Sequence, residues 1–166
     1  MRIEVDGLTF DFPDSWKVSK YDEWAFYRNQ FFRMWDGIKA VDLIAINERD
    51  IWLIEVKDYR QSPRTKPQDL SEEVAQKVFS TLAAMLPAKV NALDLSESDF
   101  AREVLNGTRL HVVLHLEQPR QHSRLFPRAI NPANVQLKLR SSIKPIDPHP
   151  KVVESTNMRG LEWRVT

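Results

Sequence analysis

Two short apolar runs, VDLIAI over 41–46 and IWLIEVK over 51–57, stand on either side of the turn formers Asn47-Glu48-Arg49-Asp50. Rich in β-branched and aromatic residues, they predict a hairpin of two largely buried strands. Side chains on a strand alternate between faces, so Glu55 and Lys57 share one face while Ile54 and Val56 take the other. Asp42, near the start of the first strand, is then expected opposite the far end of the second, so that three charges converge on one patch.

The same alternation extends to RLHVVLHLE at 109–117, where Leu110, Val112, Leu114 and Leu116 share one face. His111, Val113, His115 and Glu117 share the other, which predicts a strand with a half-exposed face. Two histidines four residues apart on a strand stand about 13 Å apart and cannot share one metal ion. Asp6-Gly7 between 2–5 and 8–12 predicts a small N-terminal hairpin. SKYDEWAFYR predicts a first helix, with Ser19 and Asp22 forming a capping box. QFFRMW at 30–35 reads as a strand turning at Asp36-Gly37 into 38–46. Asp69 starts a second helix with Val74, Val78, Leu82 and Leu86 as its apolar stripe and Pro87 as its end. Ser96 and Asp99 cap a shorter helix through Leu105, with Gly107 as the stop. Beyond 118, Pro119, Pro127, Pro132, Pro145, Pro148 and Pro150 break up the pattern, leaving a strand near 135–140 and an extended arm.

Charge in the buried runs needs a physical reason, because removing a carboxylate or ammonium from water costs several kcal/mol unless it is paired or bound to metal. An aspartate, twelve intervening residues, then Glu55-Val56-Lys57 on the next strand resembles the PD-(D/E)XK nuclease superfamily. IEVKDYR at 54–60 looks like that family as well, and the resemblance covers roughly residues 19–116. The proline of the family's name is absent, Val41 standing before Asp42.

That resemblance implies a three-layer αβα sandwich with a central mixed sheet, in the restriction-endonuclease-like arrangement. It implies a hydrolase cleaving phosphodiester bonds, with DNA as the expected nucleic-acid partner. It also implies Mg²⁺, or Mn²⁺ in its place, held by Asp42, Glu55 and Val56. Lys57 is the catalytic lysine, either orienting or deprotonating the attacking water or neutralising the phosphate. Glu23, at helical spacing from Tyr27, is the expected auxiliary acid, with Asp22 as the alternative. Arg60, Arg64 and Lys66 follow the triplet in a loop suited to phosphate contact. Gln76 joins them as a nucleic-acid candidate, although Ser80 rather than tyrosine stands at i+4. A nuclease-fold module that binds nucleic acid or a partner protein without cleaving is the alternative reading, a structural partner whose hairpin acids are salt-bridged to Lys57 and Arg60 is a third, and a homodimer would allow a double-strand cut.

Composition sets the limits. With 166 residues and 42% hydrophobic content, one domain with a substantial core is expected: an N-terminal hairpin over 1–18, an αβββαβ core over 19–118 and a proline-rich extension over 119–166. The absence of cysteine excludes a disulfide framework and a thiolate metal site. Four glycines and no glycine-rich phosphate loop argue against a nucleotide cofactor. The apolar runs are too short to span a membrane, and MRIEVDGLTF is no signal peptide, so a cytoplasmic chain is expected. Net charge is +1 overall but uneven, at −3 for residues 1–60, −2 for 61–100 and +6 for 101–166.

Overall fold

A computed structural model describes residues 1–35, 37–125 and 128–166. The N-terminal hairpin forms as expected, from β1 (Arg2–Val5) and β2 (Leu8–Asp11). β3 (Lys17–Lys20) follows, then a 3₁₀ turn at Tyr21–Glu23 and the short helix α1 (Ala25–Asn29). The main hairpin is β4 (Leu43–Asn47) and β5 (Asp50–Asp58). The helices α2 (Leu70–Asn91) and α3 (Leu95–Leu105) cross over to β6 (Arg109–Glu117). The chain closes with α4 (Pro132–Ile143), β7 (Lys151–Val153) and β8 (Arg164–Val165).

The described strands form two sheets, one in the order β3-β4-β5-β6-β7 and a smaller one in the order β1-β2-β8. The larger sheet is mixed: β3, β4 and β5 pair antiparallel, whereas β5, β6 and β7 run parallel. A parallel pair needs a crossover, and α2 with α3 supplies it. One face of this sheet, through Ile44, Leu53, Val112 and Leu114, meets Val74, Val78 and Met85 of α2, Ala101 of α3 and Leu139 of α4 in one buried cluster. The other face, through Ala45, Ile54, Val56 and Val113, is covered by Leu8 and Phe10 of the small sheet, together with Trp16 and Trp163. This is the layered α/β sandwich with a mixed central sheet read from the sequence, with strands rather than helices forming the layer opposite α2.

Several local expectations are corrected. Ser19 lies in β3 and its hydroxyl accepts from the Trp24 indole at 2.7 Å instead of capping a helix. The first helix is shorter and begins later; its free N–H groups at Ala25 and Phe26 are taken by the Glu97 carboxylate of α3 at 2.6 and 3.0 Å. Residues 31–33 form a 3₁₀ turn, not a strand, and of the expected Asp36-Gly37 turn Asp36 lies outside the described residues. Pro87 sits inside α2, which runs through it to Asn91. Leu86 points away from the core, and the buried stripe is completed by Thr81, Met85 and Ala88. Asp94, not Ser96, caps α3, accepting from Ser96 N–H at 2.8 Å. The strand expected near 135–140 is helix α4, capped by Asn131 with Pro132 at its first turn, where its missing N–H costs nothing. The face of β6 bearing His115 is not half-exposed: the small sheet covers it, and Phe10 meets the His115 ring edge-on at 5.2 Å.

Candidate functional site

The hairpin register decides where the charges go. Leu43 pairs with Ile54, so Asp42 reaches the level of Glu55 and Val56, and its Oδ2 accepts the Val56 N–H at 2.6 Å. Tyr21 N–H donates to the Asp42 carbonyl at 3.0 Å, and Val41 N–H to the Thr81 hydroxyl of α2 at 3.1 Å. Asp42 is thereby fixed between the 3₁₀ turn and α2. Glu55 projects from the helix-side face of β5 and is 1% exposed.

Two ammonium groups converge on one oxygen of Glu55. Lys57, two residues along the same face of β5, contacts Oε1, and Lys77 reaches it from α2 at 2.6 Å. Lys77 also lies 3.9 Å from Asp42 Oδ1. Glu55 Oε2 is buried without a hydrogen-bond partner among the described residues. Burial, then the neighbouring Asp42 charge, pushes the Glu55 carboxyl up to about 7, against the downward pull of Lys77 and Lys57. For Lys57, burial opposes the charge, but Glu55, Asp42 and Glu73 together hold it above the ordinary lysine value.

The chain of charges continues. Glu73, also 1% exposed, lies 4.0 Å from Lys57 and takes Arg64 at 2.7 Å and Lys66 at 2.8 Å. Burial works against its ionised form, yet Lys66 and Arg64 bring its carboxyl down to about 2. Arg64 also donates to the Tyr59 hydroxyl at 2.9 Å within the 59–68 loop, which its pair with Glu73 ties to α2. Arg60 is turned outward onto Asp58 at 2.7 Å. Gln76 is exposed and bonds Gln68 at 3.0 Å.

Beside this cluster opens a cleft of about 440 Å³. Arg28, Lys39 and Lys77 bring positive charge to it, Tyr27 and Phe32 bring aromatic rings, and Asp22 and Asp42 bring acid. Asp22 is thus the acid of the first segment that lies near Asp42, and burial together with that neighbour raises its carboxyl above the usual range. Glu23 is turned away, about half exposed and paired with Lys20 at 2.6 Å. Glu23 is therefore not part of the cluster formed by Asp42, Glu55 and Lys57.

Lys77 and Glu73 escaped the sequence reading. At i and i+4 on a helix they resemble an ordinary surface ion pair, and only the packing of α2 onto β5 turns both toward the sheet.

The implied Mg²⁺ can be tested against this donor set. Asp42 Oδ2 is engaged by the Val56 N–H, Glu55 Oε1 holds two ammonium groups, and Val56 offers no ligating side chain. No group of three or more ligating His, Cys, Asp or Glu side chains occurs among the described residues. In this arrangement lysine nitrogens balance the buried acids, while Glu55 Oε2 keeps no hydrogen-bond partner among the described residues.

No protein-family profile matches the chain, and no solved structure does. The chain is 31% identical over 205 aligned positions to a cysteine–tRNA ligase of Neisseria meningitidis serogroup A. The match takes in 99% of this chain and 29% of the ligase, so the chain spans less than a third of that relative's length. This relative is an enzyme, but one that joins rather than hydrolyses. The finding overturns the expected PD-(D/E)XK membership, the nuclease activity on DNA and the non-cleaving nuclease-fold alternative. The Asp, Glu and Lys pattern that suggested them is a buried ion-pair network, a use that spacing alone does not distinguish from a metal site. Among the described residues, no helix is long and apolar enough to cross a membrane.

Proposed function

We propose that this chain serves a tRNA-ligase-related function as an RNA-holding module, with the cleft beside Asp42 and Lys77 as its contact surface. The observation that carries this reading is the similarity of nearly the whole chain to part of a cysteine–tRNA ligase. The cleft's chemistry supports it. Arg28 and Lys39 suit phosphate oxygens, and Tyr27 and Phe32 offer ring faces to an unstacked base, the combination by which single-stranded RNA ends are held. A binding role fits better than the ligation step itself, because four glycines and no glycine-rich loop leave no evident cradle for nucleotide phosphates.

The test is fluorescence anisotropy with labelled cysteine tRNA, the same tRNA lacking its single-stranded 3′ end, and duplex DNA of equal length, each at two salt concentrations and with Mg²⁺ or EDTA. Tighter binding of the intact tRNA, weakened by salt, by Lys39→Ala and by Arg28→Ala, is the expected result, and EDTA leaves it unchanged apart from effects on the RNA fold. Equal binding of all three nucleic acids, or none, overturns the reading.

A further inference from the structure

Helix α2 has two apolar faces. One, with Val74, Val78, Thr81, Met85 and Ala88, is buried against the sheet. The other runs through Phe79, Ala83, Leu86 and Val90 in steps of four, three and four residues, with Leu93 just past the helix end, beyond the extended Ala92. Alternating steps of three and four give the 3.5-residue repeat of a helix that meets another helix along its length. These positions are open: Leu86 is 59%, Val90 68% and Leu93 91% exposed. Phe79, Ala83 and Pro87 also border an apolar cleft whose far wall holds Met34 and Trp35, the latter 86% exposed.

We propose that this stripe is the contact surface of a homodimer, in which α2 packs antiparallel against α2 of a second copy about a two-fold axis at Leu86. A two-fold interface uses the same patch on both partners, so the patch must complement itself when reversed. The stripe does so. Reversal about Leu86 sets Leu86 against its own copy and Ala83 within one residue of Val90, and brings Leu93, just past the helix end, toward the Phe79 end of the second copy. Ala83 gives room for close helix approach, and Met34 and Trp35 flank the end of the stripe that receives Leu93 of the second copy.

Charge agrees with this occupant, since α2 carries no ionisable residue from Val78 to Ala88 and a second copy meets no like charge there. Area agrees too. Five large apolar side chains more than half open, Phe79, Leu86, Val90, Leu93 and Trp35, present roughly 700 Å², above the few hundred usual on a monomer and near the 800 Å² that each partner gives a standard interface. Lys77 lies about 160° around the helix from Phe79, so the contact leaves the Glu55 cluster and its cleft uncovered.

The chain has no cysteine, which makes a single introduced thiol a clean reporter. Sedimentation velocity at about 100 µM is expected to give twice the 19.4 kDa chain mass for the natural chain and the single mass for Leu86→Glu. Under mild oxidation Leu86→Cys is expected to link two copies at least tenfold faster than Glu4→Cys on the exposed first strand. Circular dichroism checks that Leu86→Glu is folded, and the thiol pair tests the contact without that variant. A natural chain that stays monomeric, or a Leu86→Cys rate no greater than that of Glu4→Cys, overturns the proposal and leaves the stripe to a different partner.

Discussion

Lys77 of α2 meets Glu55 of β5 at 2.6 Å, on the same carboxylate oxygen that Lys57 contacts from its own strand. This bond fastens the helical layer to the sheet at the level of Asp42. Removing one partner of a buried ion pair leaves the other charge uncompensated, so Lys77→Met is expected to destabilise the chain by about 3 kcal/mol. Urea unfolding followed by tryptophan fluorescence measures it. A change within about 0.5 kcal/mol would mean that Lys57 alone balances the acid.

Glu55 also sets a pH dependence. Its folded value, about 7, lies above the ordinary 4.5, so between these values the folded chain keeps a proton that the unfolded chain has released. Stability from this group therefore falls as pH rises from 4.5 to 7 and levels off above, by an amount on the order of 3 kcal/mol. Glu55→Gln is expected to flatten that part of the profile. An unchanged slope in the variant assigns the titration elsewhere.

Glu73 works in the opposite sense. Its folded value lies below the unfolded one, so its contribution is present above pH 4.5 and is lost as pH falls toward 2. Because Arg64 and Lys66 close onto it, Glu73→Gln is expected to free the 59–68 loop and to speed tryptic cleavage after Arg64 severalfold, with little change after exposed Arg102. Limited proteolysis with mass spectrometry reads both sites.

A methyl group at Gly107 would stand 2.3 Å from Ile51 Cγ1 and 2.8 Å from its Cδ1. Gly107 is there because the α3–β6 connection passes directly over β5. Gly107→Ala is expected to cost about 2 kcal/mol through overpacking, and much less in an Ile51→Ala background, where the clash is gone. Equal costs in both backgrounds would locate the effect in the backbone instead.

The hairpin, the alternation of β6 and the convergence of Asp42, Glu55 and Lys57 were legible because each depends on period-two patterning or short-range spacing. Residues 132–143 look broken in the sequence because proline interrupts the interior of regular elements, whereas Pro132 occupies the first turn of α4, which favours it. Glu97 and Lys77 were invisible for another reason. Their partners lie 72 and 22 residues away, and nothing in the local sequence records which face of a helix a distant element will cover. The chemical meaning of the acid pattern was the least legible of all, since metal ions and lysines both balance buried carboxylates.

The parallel pairing of β5 with β6 has a consequence for synthesis. Glu55 is opposite Leu114, so some sixty further residues must be made before its strand gains that neighbour, and closing so long a loop is slow. Asp42 and Glu55 can come together as soon as the hairpin turns, while Lys77 arrives only with α2. On the ribosome the two acids are thus made side by side with Lys57 alone to balance them, and the hairpin waits in water until α2 brings Lys77 down.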